Sequence, residues 1–166
     1  MTIWYFAYGS NLDFVQMRGR CPSAQFVCRG VLKDHALAFN SRSAERNCGV
    51  ADVVPQEGHD VWGAVYQIDQ QDLAVLDDCE GFLPGRDPQQ NAYNRDDNVR
   101  VLAENDPQQP MRVSAYFAVQ QPDPPLPSEA YLRQIIDGAK FWKLPPPYVE
   151  ELQRFATLTG PHPSRR

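Results

Sequence analysis

At 166 residues with 42% apolar side chains, the chain is long enough to bury one real core and too short to suggest two domains. A net charge of -5 gives no electrostatic footprint for a nucleic-acid surface, and the densest basic run is the terminal Ser164-Arg165-Arg166. No apolar run approaches the roughly 20 residues that span a bilayer, and Met1-Thr2-Ile3-Trp4 lacks the regions of a secretory leader, so a cytoplasmic chain with no membrane or nucleic-acid partner is expected.

Ile3 to Phe6 is β-branched or aromatic and predicts a buried first strand. It breaks at Tyr8-Gly9-Ser10-Asn11, and Leu12 to Met17 reads as a short helix. Backbone N–H groups at such a helix start lack partners and form a nest for an anion or an oxyanion. Gly9 has no Cβ and admits a ligand close to the backbone. Ser10 and Asn11 either cap the helix or hydrogen-bond a ligand. An ordinary strand–turn–helix joint explains the same residues.

Arg18 to Ser23 reads as a turn. Ala24 to Asn40 reads as one long bent strand or two, and Ser41 to Asn47 as a polar loop. Gly49 to Val54 predicts a strand ended by Pro55, with a turn over Gln56-Glu57-Gly58-His59. Asp60 to Ile68 is the clearest strand, apolar on both faces and so central, with Trp62 packed inside. Asp69 is expected to cap a helix from Gln70 to about Asp78, with Leu73, Val75 and Leu76 facing inward and Gly81 as its stop.

Phe82 to Asp97 is rich in Pro, Gly, Gln and charge, and such a long loop suggests a functional lid. Asn98–Ala103 and Met111–Val119 are strands joined by a turn over Glu104 to Pro107. A Pro-rich connector leads to two helices. The first starts at Ser128 with Leu132, Ile135, Ile136 and Ala139 on one face. The second starts at Pro145-Pro146-Pro147 with Val149, Leu152, Phe155 and Ala156 on one face. One domain over 1–160 is expected, with a disordered tail over 161–166. Consecutive strands without long helical crossovers predict an α+β fold with a mixed or antiparallel sheet, closed or half-closed as a barrel, and helices outside.

The four cysteines, Cys21, Cys28, Cys48 and Cys79, form no CxxC pair and read as free, mostly buried thiols. His35, His59 and His162 show no HxxxH or HExxH spacing, so no metal is expected. Neither GxGxxG nor a P-loop occurs, so no nucleotide cofactor is expected. Glu80 is the first chemical candidate. It follows an amphipathic helix and precedes a glycine and a long loop, where partial burial would raise its pKa toward a useful general base. A solvated carboxylate at a helix end is the plainer alternative. Cys79 is a rival nucleophile with no His nearby in sequence. Tyr93 and Tyr116 either orient a polar ligand or pack as core and rim aromatics.

Tyr5-Phe6-Ala7-Tyr8-Gly9-Ser10-Asn11-Leu12 resembles the N-terminal signature of the γ-glutamylcyclotransferase family, in the AIG2-like and BtrG-like cyclotransferase superfamily. Pro22-Ser23-Ala24, Val61-Trp62-Gly63-Ala64-Val65-Tyr66 and Leu76-Asp77-Asp78-Cys79-Glu80-Gly81 follow in that family's order. Tyr93, the strand Ser114-Ala115-Tyr116-Phe117 and the segment Gly138-Ala139-Lys140 also have counterparts there. The resemblance implies a six-stranded barrel-like sheet with flanking helices. It implies a lyase- or acyltransferase-type enzyme without cofactor or metal, a monomer or homodimer, acting on a γ-glutamyl amino acid and releasing 5-oxoproline. Glu80 would be the general acid/base, and Tyr5, Phe6, Ala7, Tyr8, Gly9, Ser10, Asn11, Tyr93 and Tyr116 would hold substrate. Alternatives are a γ-glutamyl amine as substrate, or a non-catalytic small-molecule binding module of the same fold. A basic side chain between Phe82 and Asp97, Arg86 or Arg95, would bind a carboxylate on the leaving side.

Overall fold

In a computed structural model, which describes residues 1–158, the first strand, β1 (Thr2–Ala7), forms where the aromatic run predicts it. It pairs antiparallel with β3 (Cys48–Asp69), Tyr5 opposite Tyr66. β3 pairs with β2 (Gln25–Ser43), β2 with β4 (Tyr93–Ala103), and β4 with β5 (Asp106–Ala118), all antiparallel. β5 then meets β1 in parallel, Tyr5 opposite Ser114, and closes a barrel. The fold is thus α+β with a mixed, mostly antiparallel sheet. Phe6, Val61, Val65, Tyr66, Val101 and Val113 are among the side chains fully buried in its core. The expected domain end at 160 and the tail over 161–166 lie outside the described residues.

The sheet has five strands and not six. The two segments expected on either side of Pro55 are one strand. Pairing with β2 runs to Asp60 opposite Lys33 and resumes with Pro55 opposite His35. Residues 56–59 therefore bulge out of the ladder, where a proline without an N–H is tolerated. The bulge is held locally: Gly58 (φ 80°) donates its N–H to Asp34 Oδ1 at 3.0 Å, and Asp34 is itself left-handed (φ 58°). β2 likewise runs through Ser43, so only residues 44–47 of the expected loop remain as a hairpin tip.

The first helix is displaced. Ser10–Leu12 is a 3-10 turn, and α1 runs Phe14–Arg20, so half of the turn expected after Met17 is helix. Asp13 sets this start, because its Oδ1 accepts the Val15 N–H at 3.0 Å. α2 (Gln70–Glu80) ends at left-handed Gly81 (φ 66°), as expected. Asp69 stands at its N-cap position but makes no capping bond, and Val75 is exposed; the buried residues are Leu73, Leu76 and Asp77. The expected lid is short. β4 already begins at Tyr93, and Arg86 folds the remaining loop by donating to Asn91 Oδ1 at 2.6 Å and Gly81 O at 3.0 Å. β5 begins at Asp106, which narrows the expected turn after Ala103 to Glu104-Asn105.

Ser128 caps α3 (Glu129–Phe141), its Oγ accepting the Tyr131 N–H at 3.1 Å. α4 (Pro146–Gln153) buries Tyr148, Val149 and Leu152, while Phe155 and Ala156 lie beyond its end. α3 seats against the 3-10 turn through Gly138, where a Cβ would come within 2.6 Å of the Leu12 backbone. Among the described residues, no helix is long and apolar enough to cross a membrane.

Candidate active site

Where β1 ends, the chain turns across the end of α2 and opens a cavity of about 100 Å³. Glu80 is the last residue of α2, and its side chain is 16% exposed in that cavity. Its Oε1 accepts from Asn11 Nδ2 at 3.2 Å and lies 3.5 Å from an Arg20 guanidinium nitrogen. Burial pushes the Glu80 carboxyl up, against the lowering influence of Arg20, the Asn11 hydrogen bond and Arg46. A carboxylate with a raised pKa and one accessible face can take a proton and give it back.

Asn11 is the hub. Its Nδ2 also donates to the Tyr5 hydroxyl at 3.0 Å, and its Oδ1 accepts from Gln16 Nε2 and from Arg20, each at 3.0 Å. Asn11 is buried and its side-chain amide has both ends engaged, so it positions Glu80 rather than capping a helix. Tyr66 donates its hydroxyl to Asn11 O at 3.0 Å and fixes the turn from below. Ser10 accepts from Gln16 at 2.8 Å. Within the 3-10 turn the N–H groups of Leu12 and Asp13 are bonded to Gly9 O and Ser10 O, whereas those of Ser10 and Asn11 have no partner inside the turn. Gly9 has φ -108° and ψ -137°, and a Cβ there would meet Ala51 Cβ at 3.4 Å, an ordinary van der Waals contact.

Five phenols line the cavity: Tyr5, Tyr8, Tyr93, Tyr116 and Tyr131. Burial raises all five pKa values, which keeps the hydroxyls protonated. Most are committed elsewhere. Tyr8 donates to Tyr116 O and Tyr93 to Ala51 O, each at 2.6 Å, and Tyr131 accepts the Ala51 N–H at 2.9 Å. Tyr116 donates to Asp77 Oδ1 at 2.6 Å.

The expected residues Tyr5, Tyr8, Gly9, Ser10, Asn11, Glu80, Tyr93 and Tyr116 therefore converge on one cavity. Phe6 and Ala7 do not line it; both are buried in the core, and the Phe6 ring occupies the space beside Gly63. Arg86 and Arg95 do not line it either. Arg86 holds its own loop, and Arg95 pairs with Asp77 at 2.5 Å and Asp97 at 2.9 Å. The cationic side chains present are Arg20 from α1 and Arg46 from the β2–β3 tip, and sequence reading assigned neither. Arg20 stands nine residues after Asn11 with no motif to mark it, and Arg46 lies in a stretch that reads as a plain polar loop. Cys79 also lines the cavity, but its thiol is pushed up, mainly by burial with Arg20 opposing, so it is not an activated nucleophile. No three His, Cys, Asp or Glu side chains among the described residues converge as metal ligands would.

A sequence model of the AIG2-like family matches residues 60–152. The chain is 31% identical over 156 residues to the γ-glutamylcyclotransferase of Mus musculus, covering 92% of this chain and 78% of the mouse protein. It is 31% identical over 153 residues to that of Homo sapiens, covering 90% and 76%. A solved structure described as a γ-glutamyl cyclotransferase superposes with a TM-score of 0.85 at 27% identity, over 99% of this chain and 93% of that one. Sequence and fold agree over nearly the whole described chain: it belongs to the AIG2-like, γ-glutamylcyclotransferase family.

Proposed function

We propose that the protein is a γ-glutamylcyclotransferase that closes a γ-glutamyl amino acid on itself. The α-amine nitrogen of the glutamyl unit attacks its own γ-carbonyl carbon. A five-membered lactam forms, the original amide C–N bond breaks, and 5-oxoproline and a free amino acid leave. The attacking amine is largely protonated at neutral pH and must lose a proton. Glu80 takes the proton released from that nitrogen and returns one to the departing nitrogen, so no net proton is consumed.

The observation that carries this reading is Glu80 itself: a carboxylate raised by burial, aimed by Asn11, in the cavity beside the Tyr8–Asn11 turn. The N–H groups of Ser10 and Asn11 suit the oxyanion that develops as the amine attacks. A small cavity that folds the substrate chain into its cyclising shape adds to the rate, since well-oriented intramolecular reactions gain roughly 7–11 kcal/mol over bimolecular ones. The phenols stay neutral and shape the walls.

The test is 5-oxoproline release from a panel of γ-glutamyl amino acids, γ-glutamyl amines and glutathione. Release by wild type and its loss in Glu80→Gln supports both reaction and base. Heat-shift stabilisation by these compounds with no product would instead support a binding module.

A further inference from the structure

Two guanidiniums face the cavity, and only one has its charge matched. Arg20 lies beside Glu80 and donates to Asn11. Arg46 forms no ion pair among the described residues. Its two terminal nitrogens each donate to a neutral amide oxygen, Gln134 Oε1 at 3.0 Å and Gln16 Oε1 at 2.9 Å. The guanidinium carbon sits 4.8 Å above the centroid of the Tyr131 ring.

These supports are themselves fixed. Gln134 Nε2 donates to Asp13 Oδ2 and to Gln16 Oε1, each at 2.9 Å, and Gln16 Nε2 donates to Ser10 and Asn11. The group is therefore held from α1 and α3 and stacked on an aromatic face. A guanidinium has five N–H donors. Two are used here, which leaves three for a ligand. A rigid, unneutralised fork of this kind fits a carboxylate.

Its place in the cavity says which carboxylate. On the reading above, the reacting amide lies against Glu80 and the Tyr8–Asn11 turn, which line the same cavity as Arg46. Arg46 comes from the hairpin tip, where it is half-buried between exposed Glu45 and exposed Asn47. The rim is where the departing half of the substrate must lie to reach solvent. Glu45 also borders the cavity, but it is exposed, and among the described residues no ion pair holds its side chain.

We propose that Arg46 determines leaving-group specificity by receiving the carboxylate of the departing amino acid, so that γ-glutamyl amino acids react in preference to γ-glutamyl amines. This rests on the cyclotransferase reading above. It adds a residue and a rule of selection to it.

The test uses two substrates that differ only in that carboxylate, γ-glutamylalanine and γ-glutamylethylamine, with wild type, Arg46→Gln and Arg46→Lys. Charge-assisted hydrogen bonds of this kind predict a wild-type preference in kcat/KM of about 10- to 100-fold for the amino acid. In Arg46→Gln the two substrates should come within about threefold of each other. The loss should fall on the amino acid and mainly in KM. Arg46→Lys, which keeps the charge without the fork, should recover part of the preference. Raising salt should raise the wild-type KM for γ-glutamylalanine more than for γ-glutamylethylamine.

An equal loss on both substrates in Arg46→Gln, with the ratio unchanged, would overturn the assignment and leave the reaction standing. So would a wild type that prefers γ-glutamylethylamine. Folded wild type that releases 5-oxoproline from neither would overturn the reaction and this inference together.

Discussion

In the last turns of α2, Asp77 receives the Tyr116 hydroxyl of β5 at 2.6 Å and the Arg95 guanidinium of β4 at 2.5 Å. One helical turn later on the same side of the helix, where it meets the cavity, Glu80 has an amide at 3.2 Å and a guanidinium at 3.5 Å. The first carboxylate is saturated by short, charge-assisted bonds and ties the helix to the barrel. The second has longer contacts and a pKa raised by burial. On the function proposed above, two acids three residues apart on one helix divide the work: Asp77 ties the helix to the barrel, and Glu80 exchanges a proton.

The sharpest way to break that division is Glu80→Gln. General acid/base groups contribute about 10²- to 10⁴-fold, and kcat for 5-oxoproline release should fall by that amount with the fold retained. Stability carries a second signature. Folded Glu80 releases its proton less readily than unfolded Glu80, so its contribution to stability is full below the unfolded carboxylate pKa and is lost as pH rises through the folded value. Wild type should therefore lose stability relative to Glu80→Gln as pH rises through that window. Urea unfolding of both proteins across the acid range checks the sign; a difference independent of pH would mean that Glu80 titrates alike in both states.

Asp77→Asn should act on the fold. It removes the charge that Arg95 and Tyr116 share in a site where both side chains of the ion pair are largely buried. Losing such a partner costs about 2–4 kcal/mol, read as a lower urea midpoint. The folded variant should keep activity within about tenfold. A loss as large as that of Glu80→Gln, with stability unchanged, would move Asp77 into the chemistry.

Arg20→Met probes the boundary between the two behaviours. Arg20 is the strongest of the influences that hold the Glu80 carboxyl down. Without it, the carboxylate becomes the active form only at higher pH. The acidic limb of kcat/KM should move up relative to wild type. An unmoved limb would assign that limb to another group.

Much of this arrangement is legible in the chain. The aromatic run before Tyr8, the Gly81 stop and the Ser128 cap are local signals, and each places an element that bears on the site. Glu80 is marked by the helix that ends on it. What the sequence hides is set by tertiary partners. Pro55 reads as a terminator because nothing local reveals that Asp34 and Gly58 accommodate a bulge and let the ladder resume. Asp13 takes the α1 cap, which frees Asn11 for Glu80, a partner 69 residues away. Arg20 and Arg46 reach the cavity only through folding, while Arg86 and Arg95, basic and in the segment that follows Glu80, point into their own networks. Phe6 belongs to the same sequence run as Tyr5 and Tyr8, yet it faces the barrel core.

Tyr116→Phe gives the smallest expected effect and separates the two acids most directly. The ring borders the cavity, as expected for a residue that holds substrate, but its hydroxyl is turned toward Asp77. The cost should therefore appear in stability. One hydrogen bond to a charged acceptor is worth about 1.5–3 kcal/mol, and here Arg95 remains to satisfy Asp77, which favours the lower end. The Michaelis constant should change by less than about threefold, because the cavity loses no donor that points into it. A tenfold rise in KM with little loss of stability would mean that the hydroxyl leaves Asp77 when substrate arrives. Tyr116 would then serve the cavity as well as the anchor at Asp77, and the division between Asp77 and Glu80 would be a property of the free enzyme alone.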